Sequence, residues 1–394
     1  MTVRDVDQPP AGPATPERRE LRRAVRSLLD RSSPPAAVRA ATESEAGFDR
    51  ALWARLCGEI GVAGLAIPEE YGGAGAGWAE LFIVMTELGR SLAPSPMLGS
   101  GVLAAHAVLR GADEAARRRL LPGIADGSRV AALVWTGELG GWDPEAVACR
   151  ARPAPADGGH RPDGEAQHVL DGEAHYVLDG EVADVLLVAA STPSGVRLFE
   201  VDPSAPGVRR RTPPPMDLTR RLTVVSLQGA PATPLGTGCA LAAVRDAGCL
   251  ALAAEQVGAA TRALELTVAH ARTRHQFGRP IGSFQALAHR LADLHVRLAA
   301  ARSALTAAAS ALDQGTGRDD LLAALVAISC TEALDRVTAE TIQIHGGIGI
   351  TWEHDAHLYF KRAHGSRELL GHPREQLRRL AVDVLDGEEP PTAW

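Results

Sequence analysis

Polar and apolar positions change period twice along this chain, and the changes divide it into three segments. Near the start, "ERRELRRAVRSLLDR" sets Leu21, Val25, Leu28 and Leu29 on one face at helical spacing. "DRALWARLCGEIGVAGL" and "WAELFIVMTELGRSL" repeat the pattern, and "AIPEEYGGAGAG" between them is a loop by its Pro and Gly content. A helical segment is therefore expected over about 17–127. From 128 to 238 the grammar is short apolar runs bounded by turns: "VAALVW", "HYVLDG", "ADVLLVAA", "GVRLFEVD" and "LTVVSL". Such runs predict the strands of a small β-barrel or sandwich. "DPSAPGVRRRTPPPMD" is too rich in proline for either regular element. Beyond 239, long Ala/Leu helices return to residue 394, interrupted at "FGRPIGSF", "LDQGTGRDD", "HGGIG" and "GHP". The expected fold class is α+β, with helices, then a β-domain, then a helical bundle.

Composition narrows what such a chain does. Its 394 residues are 45% hydrophobic and 23% charged, ordinary for a globular protein. A formal charge of −7, from 41 basic and 48 acidic residues, argues against a nucleic-acid partner. No apolar run reaches the roughly 18–20 residues that span a bilayer, and "MTVRDVDQPPAGPATPERRE" lacks the apolar core of a secretory signal. Residues 1–16 read as a disordered leader. Five scattered cysteines form no CxxC pair and suit reduced thiols, so a cytoplasmic location is expected. His354 and His357 in "WEHDAH" stand three apart, yet too few other ligand types lie near them, and no metal is expected.

Four motifs in order carry a resemblance. "GLAIPEEYGGAG" with "ELGRSLAPSP", then "VWTGE", "ARTRHQFGRPIGSFQALAHRLADL" and "ETIQIHGGIGITWEHDAHLYFKRA", resemble the acyl-CoA dehydrogenase family over nearly the whole chain after the leader. The wording of the last is similar to an actinobacterial branch that includes steroid side-chain and secondary-metabolism members. The resemblance implies an N-terminal α-helical domain, a middle β-barrel or sandwich and a C-terminal four-helix bundle. It also implies FAD, an acyl thioester of CoA or an acyl-carrier protein, an electron-transfer flavoprotein or similar acceptor, and a homo- or hetero-oligomer.

The residues suit that cofactor. Arg274 offers a planar fork to a pyrophosphate, which a lysine would grip less well. Phe277 supplies a flat apolar surface, and Gly346 and Gly347 let backbone approach closely. Gln285 and Gln343 pair donor with acceptor for adenine or ribose. Thr136 matches the family's threonine-bearing strand facing the flavin, although Gly137 and Glu138 follow it where the family has glutamate then proline.

The base is the difficulty. Removing a weakly acidic α-proton requires a carboxylate in a water-poor pocket. In most of the family a glutamate lies about nine residues after an arginine; counted from Arg362, that position is Gly371. A second branch places it on the helix before the arginine-phenylalanine-glycine segment, here Gly248. Glu255 lies seven residues further, nearly the same helical face and about 10.5 Å along the axis. It sits among small and apolar neighbours, and reads either as a relocated base or as a hydrogen-bonded structural glutamate. Glu368, one turn before Gly371, is the next candidate; Asp246 and His372 are weaker ones. Three readings stay open. The chain is an active flavin-dependent α,β-dehydrogenase, the non-catalytic half of a mixed oligomer, or a related flavin oxidase or oxygenase.

Overall fold

The protein is seen in a computed structural model that describes residues 15–137, 140–154, 168–315 and 317–386. The expected leader up to residue 14, and Glu138 of "VWTGE", lie outside the described residues. Helix α1 (Pro16–Ser32) starts one residue inside the expected leader because Thr15 caps it. The Arg18 amide donates to Thr15 Oγ1 at 3.3 Å, and Pro16 takes a first position whose N–H is not needed. Val25, Leu28 and Leu29 are its buried side chains, as their spacing requires. Helices α2 (Pro35–Glu43), α3 (Arg50–Arg55), α4 (Trp78–Ser91), α5 (Ala105–Gly111) and α6 (Glu114–Ala125) follow.

Seven strands come next: β1 (Ala131–Val134), β2 (Cys149–Pro153), β3 (His168–Leu178), β4 (Val185–Thr192), β5 (Gly195–Val201), β6 (Val208–Arg211) and β7 (Leu222–Pro234). Pairing runs β4–β2–β3–β7–β5 and returns from β5 to β4, which closes a barrel and leaves no edge in that ring. β1 adds to β4 in parallel, Ala131 opposite Val185, and β6 adds to β7. Phe199, Leu170, Val188 and Val225 fill the interior. Strand β6 corrects the expectation that the proline-rich stretch forms no regular element. Its four residues fit between the prolines, so no ladder N–H is lost.

The C-terminal helices are α7 (Leu241–Thr273), α8 (Gln285–Asp313), α9 (Asp319–His345), α10 (Ala356–Glu368) and α11 (Pro373–Asp386). Between α7 and α8 a two-strand hairpin, β8 (His275–Gln276) and β9 (Arg279–Pro280), occupies the predicted interruption. Helices α8, α10 and α11 each pack on α9. Gln256 of α7 exchanges hydrogen bonds with Thr331 of α9 at 3.0 and 3.2 Å, and Thr267 donates to Thr341 at 2.8 Å. Three long helices, with α10 and α11 packed on α9, thus form the helical C-terminal bundle.

Compactness divides the chain into two units rather than three segments. One holds residues up to 22, 82–92 and 249–394; the other holds 23–81 and 93–248. Residues 82–92 join the bundle unit through close packing of α4 on α7. A methyl group on Gly89 would overlap the Glu255 carbonyl oxygen, and one on Gly258 the Thr86 carbonyl oxygen. At such a crossing only glycine lets the backbones meet. The Arg90–Glu265 ion pair at 2.6 Å and the Tyr359 hydroxyl on the Arg90 carbonyl at 2.7 Å fasten it.

Candidate active site

In the barrel unit, Thr136 follows β1 and is 1% exposed. Its hydroxyl donates to the His175 carbonyl at 2.7 Å and accepts from the His175 amide at 3.0 Å. The reason lies in β3, where the register against β7 slips between Ala174 and Val177 and leaves the bulged backbone without ladder partners. Thr136 supplies them. The hydroxyl proton is thereby committed to the protein, and one oxygen lone pair is left to accept from another donor. The bulge also turns Tyr176 out at φ 56°. Its ring lies 6.5 Å from that of Trp142, which is 5.4 Å from Trp135. This aromatic group beside Thr136 was not anticipated; the two tryptophans of "VWTGELGGW" were its only signal.

In the bundle unit, Arg274, Phe277 and Gln285 gather on the α7–α8 connection. Phe277 and Gly278 form the two-residue turn of the β8–β9 hairpin, with φ of 53° and 78°. Positive φ at both residues marks a type I′ turn, in which a bulky aromatic is strained. Phe277 nevertheless occupies it, 89% exposed. Such strain is sustained by the hairpin, and it holds the ring out as a flat surface. Arg274 and Gln285 are exposed beside it. The Arg274 backbone is pinned, its amide to the His270 carbonyl at 2.9 Å and its carbonyl to the Ile281 amide at 2.8 Å.

Gln343, Gly346 and Gly347 end α9 and are also exposed. Gly346 has φ 64° and ψ −144°, a backbone open only to glycine. Apart from each glycine's own chain neighbours, no atom of the described residues lies within 4 Å of a Cβ built on Gly346 or Gly347, so the space before this loop is open to a ligand. The rings of His270 and His345 stack 4.3 Å apart and bring the two motif groups together. A fork of positive charge, a displayed aromatic, two amides and an open glycine loop fit a dinucleotide with pyrophosphate and flat rings.

The carboxylates separate sharply. Glu368 is exposed. Asp246 pairs with the adjacent Arg245 at 3.4 Å. Glu255 is 5% exposed, and its Oε1 lies 3.5 Å from Nε of Arg362, itself 4% exposed. The guanidinium favours the proton-free carboxylate but also ties it in place. Arg362 entered the sequence reading only as a counting mark; its place beside Lys361 in the run "HLYFKRA" does not single it out as a buried partner.

Around Gly371 the chain does not simply lack a side chain. Leu370 and Gly371 have φ of 62° and 107°. The buried Gln376 donates to the Leu370 carbonyl at 2.9 Å and accepts from Arg379 at 2.7 Å. A cavity of about 10 Å³, room for roughly one water, lies between this loop, Cys249, Gln256 and Thr331. His372 Nε2 accepts from Arg367 at 3.0 Å, and Arg367 also pairs with Asp335 at 3.0 Å.

Helices, closed barrel and helical bundle, with a nucleotide-fitting loop group on the bundle, define the architecture of flavin-dependent acyl-thioester oxidoreductases. Residues 15–128 match the acyl-CoA dehydrogenase N-terminal domain, and residues 240–384 its C-terminal domain. The chain belongs to the acyl-CoA dehydrogenase family. Family members are flavin oxidoreductases acting on CH–CH bonds, and this chain takes part in flavin-dependent dehydrogenation of acyl thioesters. It is 42% identical to acyl-CoA dehydrogenase IpdE2 of Mycolicibacterium smegmatis, across 94% of this chain and 99% of that one. The ChsE4-ChsE5 complex from Mycobacterium tuberculosis superposes with a TM-score of 0.85 at 31% identity, covering 97% of this chain and 100% of the other. A variant of the Tcur3481-Tcur3483 steroid acyl-CoA dehydrogenase superposes at 0.83 with 33% identity, covering 93% and 97%.

Proposed function

We propose that this chain is the cofactor-holding, base-free half of a two-chain acyl-thioester dehydrogenase, with the proton-abstracting carboxylate on a sister chain. The observation that carries this reading is the buried Glu255–Arg362 pair. It uses up the best-placed carboxylate, while the family's two positions for a base are Gly371 and Gly248. Two similar solved proteins are two-chain assemblies, which supports a mixed oligomer. Exposed Phe277, Ile350 and Trp352 around the glycine loop supply apolar surface for such an assembly.

FAD, when bound, supplies the acceptor for the hydride leaving Cβ. Arg274 would neutralise its pyrophosphate, Phe277 would wall a ring, and Gln285 and Gln343 would bond adenine or ribose. Gly346 and Gly347 would admit the backbone, and the segment at Thr136 would meet the flavin's reactive edge. An electron-transfer flavoprotein is the natural acceptor for the reduced cofactor. Cytoplasmic placement fits five free cysteines and the finding that no described helix is long and apolar enough to cross a membrane.

A second reading keeps Glu255 as the base, favoured by its burial in a water-poor face. One experiment separates the two. The chain purified alone and loaded with FAD is mixed anaerobically with acyl-CoAs of several lengths, steroid acyl-CoA included. No bleaching of the flavin band is expected until the sister chain is added. Bleaching by the single chain that falls about 10²- to 10⁴-fold in Glu255→Gln would establish Glu255 instead.

The cofactor grip has its own test. Arg274→Ala in the assembled oligomer should weaken FAD binding about ten- to hundredfold, the equivalent of roughly 1.5–3 kcal/mol for a charge-assisted contact. Fluorescence titration of apoprotein measures it. Unchanged affinity would remove Arg274 from the site.

A further inference from the structure

Three histidine rings from three elements meet behind the glycine loop. His345, the last residue of α9 before Gly346, lies between His270 of the last turns of α7 and His354 of the segment leading into α10. Ring centroids are 4.3 Å and 4.4 Å apart. His345 is 6% exposed, and its Nδ1 sits 2.7 Å from the Thr341 carbonyl, which only accepts. Nδ1 therefore carries the proton and Nε2 holds a lone pair, buried with no hydrogen-bond partner in the structure. His270 stacks on His345 while His354 lies tilted against it at 49°, and no group of three or more ligating side chains among the described residues could hold a metal ion.

We propose that this stack is a proton-sensitive support for the Gly346–Ile350 loop, firm while the imidazoles are neutral and released as they gain protons. A proton on His345 would enter a buried site whose electrostatic neighbours are cations or become so. Those facing it are His270 from α7 and His354 from the α10 approach. Arg274 acts on His270 from the end of α7, and Lys361 of α10 stands 4.7 Å from the ring of Trp352, two residues beyond the loop. Burial pushes the His345 imidazole down to about 4, partly opposed by the Thr341 carbonyl and reinforced by His270 and His354. Burial and the charges of His354 and Arg274 lower His270 as well.

The sign follows from linkage. A His345 released to water regains its ordinary value of 6.5, so the open loop binds the proton more tightly and acid favours opening. The closed loop has its full stability above pH 6.5 and loses it as the pH falls towards 4. From pH 7.5 to pH 5 the opening equilibrium should rise about twenty- to thirtyfold from this one group. On the proposed role of the loop in holding FAD, cofactor affinity should fall with it.

Hydrogen exchange of the amides at 346–351, corrected for intrinsic rates, reads the loop without any cofactor. Wild-type protection should drop by that factor between pH 7.5 and pH 5. In His345→Phe, which keeps an aromatic ring in the stack but cannot take a proton, the drop should vanish. Protection independent of pH in the wild type, or an equal drop in His345→Phe, would overturn the proposal. Should that variant not fold, His270→Phe must show a diminished drop, and an undiminished one counts against the stack. FAD titration of the assembled protein at both pH values forms the second arm. Loosening of the loop with unchanged FAD affinity would uphold the support and remove the loop from the cofactor site.

Discussion

Arg362→Leu should lower the free energy of unfolding by about 3–5 kcal/mol, the usual cost of stripping one partner from a buried ion pair. Arg362 and Glu255 are both buried, and the guanidinium nitrogen stands 3.5 Å from the carboxylate. Removing the cation leaves a charge enclosed by α7 and α10, where water cannot replace it. The double variant Glu255→Leu, Arg362→Leu should recover most of the loss, because an apolar pair of similar volume escapes the desolvation cost of both charges. Urea unfolding of the four proteins of the cycle gives the coupling directly. A single variant that costs less than about 1 kcal/mol would mean that the pair is solvated. The structural objection to Glu255 as a free base would then weaken.

Installing the family's carboxylate by Gly371→Glu should destabilise the chain by about 1–3 kcal/mol without creating dehydrogenase activity. Gly371 holds φ 107°, a conformation that L side chains rarely adopt. A Cβ there would lie 2.9 Å from Gln376 Nε2 and 3.1 Å from Glu375 Oε2. The new carboxylate would therefore meet a bonded amide and a like charge. This differs from the simplest inference from sequence, which treats the glycine as an acid-bearing site with its side chain deleted. Thermal unfolding and the anaerobic flavin assay on the chain alone check both halves. Bleaching that appears only with Gly371→Glu would show that the loop still accommodates a base.

The order of elements was legible because each rests on a local signal. Helical spacing at Val25, Leu28 and Leu29, turn-bounded apolar runs from 130 to 227, and glycine and proline breaks between the long helices all act over a few residues. Family membership was legible for a related reason: Arg274, Phe277, Gly346 and Gly347 lie in contiguous motifs whose wording survives without any knowledge of contacts. Strand β6 escaped because its evidence is its partner, β7, and a four-residue edge strand carries no period of its own.

The character of Glu255 could not be read locally at all. Its helical neighbours are small and apolar, which is equally true of a poised base and of half an ion pair; its partner Arg362 stands 107 residues later. Likewise "LLGHP" gives no hint that Gln376 binds the Leu370 carbonyl, nor that Thr136 spends its hydroxyl on a bulge in β3. The sequence by itself determined the order of helical and strand segments and which residue types could meet a flavin, since backbone propensity and periodic burial are short-range. The tertiary structure alone decided which charges neutralise one another and which hydroxyls and amides are already bonded. Those depend on side chains distant along the chain meeting where little water remains to compete.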